Sequence, residues 1–177
     1  MRLTVTIILL LSCLNAFAAE VVSSPIAPRT STKDKALLEA EEKVNKVLDA
    51  LHQLASDANF DDYFALYSND AVFIGTDATE IWTVSAFKAY AQPHFSKGQG
   101  WTYTPHSRHV YFSKNRDVAW FDELLDNKSL GVTRGTGVLV LQNNEWKVSQ
   151  YHLTIPVPNA LADSVAEQIK SHRKKGQ

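Results

Sequence analysis

The sequence predicts an α+β fold: a strongly curved, cone-shaped, mostly antiparallel sheet packed on three N-terminal helices, with one more helix at the C terminus. Two observations predict it. Between about Lys33 and Pro93 apolar residues recur mainly at helical steps, and from Trp101 to Ile155 the chain reads as four strands joined by short polar loops. At 177 residues, 45% hydrophobic and 21% charged, the chain has the material for one domain with a real core.

The elements follow in order. Arg2, the uncharged run Leu3 to Leu11 and Ala16-Phe17-Ala18 form an export leader over residues 1–18, with cleavage before Ala19. The apolar run is too short for a stable membrane span. Leu10-Leu11-Ser12-Cys13 loosely resembles a lipobox, but Leu11 fits poorly and Cys13 comes early, so a periplasmic or secreted protein is expected over lipid anchoring at Cys13. Residues 19–32, with Pro25 and Pro28 among Ser and Thr, read as a flexible linker. A domain is expected over residues 33–159, and a C-terminal helix with a polar tail over 160–177.

Within the domain, Leu37, Ala40, Val44, Val47, Leu48, Leu51 and Leu54 make one apolar stripe on a helix from Lys33 to Ala55, with Ser31 and Asp34 as its capping pair. Asn59 caps a short second helix that points Phe60, Phe64 and Tyr67 inward. Ala71 to Ile74 is a short strand. Thr83 caps a third helix, which Pro93 weakens or ends. The four strands are Trp101–Phe112, Arg116–Leu125, Val132–Leu141 and Trp146–Ile155, a meander closed by Pro156 and Pro158.

Composition excludes several functions. A net charge of −1, with no basic cluster before Arg173-Lys174-Lys175, excludes nucleic-acid binding by bulk charge. The single cysteine, Cys13, leaves with the leader, so no disulfide, thiol nucleophile or cysteine zinc site is expected. Gly135-Thr136-Gly137 lies within a strand and lacks the Lys-Ser/Thr of a phosphate loop. No motif calls for a cofactor. His106 and His109 are three apart on a strand and are expected on opposite faces, which argues against a shared metal.

Three segments resemble the SnoaL-like branch of the nuclear transport factor two-like superfamily, also described as cystatin-like: Phe64 to Phe73, Phe87-Lys88-Ala89-Tyr90, and Glu145 to Thr154. The resemblance spans Lys35 to Asn159. It implies a bent sheet around helices, a pocket at the wide end and, often, dimers through the outer sheet face. Members include ketosteroid isomerase, polyketide cyclases and scytalone dehydratase, and others that only bind small molecules or act as assembly modules. The isomerase's two catalytic carboxyl positions fall near Gly75 and Thr136, which carry none, though Asp77 is close to the first.

Strand alternation sorts the sheet into two faces. With His106 opposite Glu123 and Glu123 opposite Arg134, these three form a row with Thr136, Val138 and Tyr151 on one face. There Glu123 sits between an imidazole and a guanidinium, as acid/base groups or as a cross-strand charge cluster that orders the sheet. Trp101, His109, Trp120, Asp122, Leu139, Trp146, Gln150 and His152 fall on the other. Helices cover one face only, so the second predicts a homodimer. If the faces are reversed, Trp120, Asp122 and His152 line the pocket. Trp82 is expected in a loop at the cone mouth, with Tyr63 and Tyr90 near its rim. The expected function is an exported domain binding a small apolar or amphipathic ligand. The alternatives are an isomerase, cyclase or dehydratase using acid/base chemistry, and a protein-interaction module.

Overall fold

The computed structural model describes residues 32–175. The leader, most of the linker and the Ser31 cap lie outside them. Helix α1 (Thr32–Ser56) is followed by α2 (Phe60–Ala65), strands β1 (Tyr67–Ile74) and β2 (Ile81–Thr83), and α3 (Val84–Phe95). Strands β3 (Thr104–Phe112), β4 (Val118–Asn127), β5 (Gly131–Gln142) and β6 (Glu145–Thr154) follow, and α4 (Ala162–Lys175) ends the chain. No helix among the described residues is long and apolar enough to cross a membrane.

Each helix forms where the sequence places it. Asn59 caps α2 through its side-chain oxygen, which accepts from the Asp62 N–H, and Thr83 caps α3 by accepting from the Ala86 N–H. One expectation is corrected: Pro93 does not end α3, which continues to Phe95. Proline removes one backbone bond, but Phe87, Ala91 and Phe95 recur every four residues and are all buried. Their packing outweighs the missing bond.

The sheet has six strands in the order β2-β1-β6-β5-β4-β3. The meander β3 to β6 is antiparallel throughout, whereas β1 inserts beside β6 in parallel. Trp82 lies on β2, not in a loop, because Ile81 to Thr83 pair back onto β1. The inner face packs on α1, α2 and α3. Its core includes Val44, Leu48, Phe64, Phe87, Leu125, Leu139 and Val148.

Two local features overturn the expected register. The β4–β5 connection is the three residues Lys128 to Leu130, with Asn127 paired to Gly131. The Asn127 side-chain oxygen accepts from the Ser129 and Leu130 N–H groups, and Gly131 takes φ +71°. Glu123 therefore faces Gly135, not Arg134. A slip of one residue turns every β5 side chain over. The second feature is a bulge at His106, next to Pro105 on the edge strand, which brings Arg108 opposite Glu123.

Candidate functional site

The corrected register separates the expected row. Glu123 and Tyr151 are buried on the inner face. Arg134 is exposed, and Thr136 and Val138 alternate with the buried Gly135 and Gly137, so all three face outward. His106 is also outside, with its Nδ1 3.3 Å from Asp126 Oδ2. His109 stands on the same outer face, paired with Asp122 at 3.2 Å, so the bulge removes the expected separation of the two imidazoles. Among the described residues no group of three or more His, Cys, Asp or Glu side chains is arranged to hold a metal. Trp120, Asp122 and His152 lie on the outer face, away from the helices. Leu139 and Trp146, expected there, are buried inside. Asp77 is held in its own turn, accepting from the backbone and hydroxyl of Thr79.

A different set surrounds Glu123. Its side chain is 0% exposed, and three groups converge on it. His52 of α1 donates from Nε2 to Oε1 at 2.8 Å, Tyr151 of β6 donates its hydroxyl to the same oxygen at 3.0 Å, and Arg108 of β3 donates from Nε to Oε2 at 2.8 Å. Arg108 also donates from Nη1 to Asp49 Oδ1 at 2.7 Å and to Asn45 Oδ1 at 3.2 Å, which ties β3 to α1. Gly135 makes the cluster possible: a Cβ there would overlap the Tyr151 hydroxyl and crowd Glu123 Oε1.

The electrostatics follow from this geometry. Burial is the largest single influence on Glu123 and opposes its charge, but the interactions with His52 and with the Arg108 guanidinium together outweigh it and hold the carboxyl below the usual 4.5. A carboxylate only accepts, so His52 carries its proton on Nε2. Burial, then the Glu123 charge, raises the Tyr151 hydroxyl well above 10, which keeps it a donor.

The cluster closes the deep end of an aromatic funnel. The main cavity, about 260 Å³, is lined by Phe73, Trp82, Phe87, Tyr90, Trp101, Tyr103 and neighbours. A smaller chamber of about 30 Å³ shares Phe73, Trp101, Tyr103 and Leu153 with it and adds His52, Tyr63 and Tyr151. Tyr63 is thus at the deep end rather than at the rim, its hydroxyl 2.8 Å from that of Tyr67. Trp82 and Tyr90 do line the main cavity. The rings run nearly parallel: Tyr151 to Phe73 at 8°, Phe73 to Phe87 at 16°, Phe87 to Trp82 at 3° and Trp82 to Tyr90 at 20°.

Sequence reasoning missed His52, Arg108 and Asp49. The signal for His52 was present: it stands one turn after Leu48 on the stripe that α1 buries, where a polar side chain needs a partner. Arg108 gave no such signal, because its inward direction depends on the bulge.

The family model for the SnoaL-like domain matches residues 44–158. The chain belongs to the SnoaL-like family. Solved structures agree with this SnoaL-like fold. An NTF2-like protein of unknown function from Pseudomonas putida is 18% identical, with a TM-score of 0.58 over 69% of this chain and 90% of that one. A candidate dehydratase of the NTF2-like family from Streptomyces avermitilis is 12% identical, with a TM-score of 0.59 over 72% and 100%. An NTF2-like protein with a cystatin-like fold from Novosphingobium aromaticivorans is 13% identical, with a TM-score of 0.56 over 77% and 97%. At these identities the likeness establishes the fold alone. No curated protein matches this SnoaL-like chain.

Proposed function

We propose that this SnoaL-like domain binds a small, flat, apolar or amphipathic molecule in its aromatic funnel. The observation that carries the reading is the cavity itself: about 260 Å³, walled by near-parallel rings and ending in a buried polar cluster. Parallel rings favour a planar guest by stacking, and Glu80 at the wall disfavours an anionic one. Titration with naphthol tests this. Saturable quenching of tryptophan fluorescence is expected, because Trp82 and Trp101 line the cavity. Trp82→Ala removes a stacking partner worth ~1 kcal/mol and weakens binding roughly fivefold to tenfold. A linear, unsaturable response counts against the reading.

Export and self-association belong to the same proposal. On the outer face Tyr111 stacks on Trp120, and both are nearly half exposed, beside half-buried Val138. The helices occupy the other face, so a second copy of this chain is the occupant we assign. Native mass spectrometry of protein from an exporting host is expected to read twice the mass of a chain starting at Ala19. Trp120→Glu is expected to halve it. A wild-type monomer, or a leader still attached, overturns the corresponding part.

A further inference from the structure

Helix α4 takes no part in the hydrophobic core, to which no residue after Leu153 belongs. None of its described side chains is buried: Val165 and Ala166 are half-buried and the others exposed. Ile155, Val157, Leu161 and Ile169 are 46, 44, 52 and 48% exposed, so large apolar side chains meet water repeatedly along this one stretch. The helix nevertheless has two faces. At about 100° per residue, Ala162, Val165, Ala166 and Ile169 fall on one stripe, with Asp163, Ser164, Glu167 and Ser171 opposite. Its charge is divided along its length. Asp163 and Glu167 lie in the first half, and Lys170, His172, Arg173 and Lys174 follow with no acid among them. Lys170 donates to Glu167 at 2.8 Å. Arg173 and Lys174 have no acid within ion-pair distance among the described residues; Asp77 feels the Arg173 charge at longer range, after the stronger hold of Thr79. A helix of 14 residues is marginal in water on propensity alone, so what meets its apolar stripe decides whether it persists.

We propose that α4 is a membrane-surface helix: it lays the stripe of Val165 and Ile169 on an anionic lipid bilayer and sets Lys170, Arg173 and Lys174 against the phosphates of the headgroups. The proposal is independent of the funnel and its guest. Charge selects this occupant, because the cations cluster at one end of a stripe that is otherwise uncharged, and a polar helix with an apolar stripe and basic residues lies in the interface plane. It does not span: no described helix is long and apolar enough to cross. Area argues against a second copy as the occupant. Two alanines, one valine and one isoleucine on a single helix face fall well short of the ~800 Å² per partner that a stable protein interface buries. A bilayer asks for no complementary shape.

Sedimentation with vesicles tests this, on protein from the exporting host. Wild type is expected to pellet with vesicles of equal phosphatidylglycerol and phosphatidylcholine and to stay in solution with phosphatidylcholine alone. Salt at about 0.5 M is expected to release it, since headgroup attraction is then screened. Replacing both Arg173→Gln and Lys174→Gln is expected to weaken binding roughly 30-fold. Ile169→Glu is expected to weaken it by roughly tenfold or more, through lost apolar burial and added repulsion. Arg173→Lys keeps the charge and is expected to bind as wild type, as is Lys114→Gln, which removes an exposed cation between β3 and β4. The urea midpoint of each variant is expected to match wild type, because these side chains are exposed. Protein that ignores the anionic vesicles, that pellets equally with neutral ones, or whose binding is indifferent to the α4 variants overturns the proposal. An Ile169→Glu protein of half the wild-type mass in native mass spectrometry also overturns it and gives the stripe to a second copy.

Discussion

Replacing Glu123 with Leu is expected to lower the unfolding free energy by about 3–5 kcal/mol, read from the midpoint of urea denaturation. The side chain is 0% exposed and accepts from three donors on three different elements. Its removal strands the Arg108 guanidinium between α1 and the sheet, with only Asp49 and Asn45 to answer it. It also leaves the Tyr151 hydroxyl and His52 Nε2 without their acceptor. Uncompensated buried donors cost more than the pair itself contributes, which makes the loss large. The same measurement has a pH arm. Glu123 is held below 4.5 in the folded protein, so its contribution is present in full above pH 4.5 and fades as pH falls through the lowered folded value. The gap between wild type and Glu123→Leu is therefore expected to narrow below pH 4.5. A gap constant down to pH 2 would show that Glu123 acts through shape alone.

Phe87→Ala is expected to cost about 3–5 kcal/mol as well, for a different reason. Phe87 is 1% exposed, lies 3.9 Å from the Phe73 ring and also stacks near Trp82 and Trp101. It is both a core residue of α3 and a wall of the cavity. Truncation removes contacts that rigid neighbours cannot re-form, and it widens the funnel toward Phe64 and Tyr63. The variant is expected to lose stability in urea yet still admit naphthol, since the remaining rings keep their planes. A loss below 1 kcal/mol would mean that the aromatic wall collapses to fill the space.

How far the site was legible in the sequence can be argued from single positions. Glu123 was singled out because the expected register set it between His106 and Arg134, and Tyr151 because alternation put it on the same face. Their neighbours were misassigned by one residue. A period-two pattern says which residues share a face of one strand, but it does not say which residue of the next strand stands opposite. That was decided by Asn127 and Gly131, which make the β4–β5 connection three residues long, and by the bulge beside Pro105. Outward Arg134 and inward Arg108 are the consequence. His52 was passed over because helical spacing marked its stripe without naming what it would touch, and Glu123 is 71 residues away.

By itself the sequence determined the helices, the caps of α2 and α3, the four strands of the meander and the family. These rest on neighbours a few residues apart, where periodicity, capping and turn chemistry act directly. Only the tertiary structure decided that β1 lies parallel to β6, that the rings of Phe73, Trp82 and Phe87 align into a cavity wall, and that one buried carboxylate gathers His52, Arg108 and Tyr151. Each of these joins residues far apart in the chain. Register, bulges and side-chain packing set their distances together, and no local pattern encodes them.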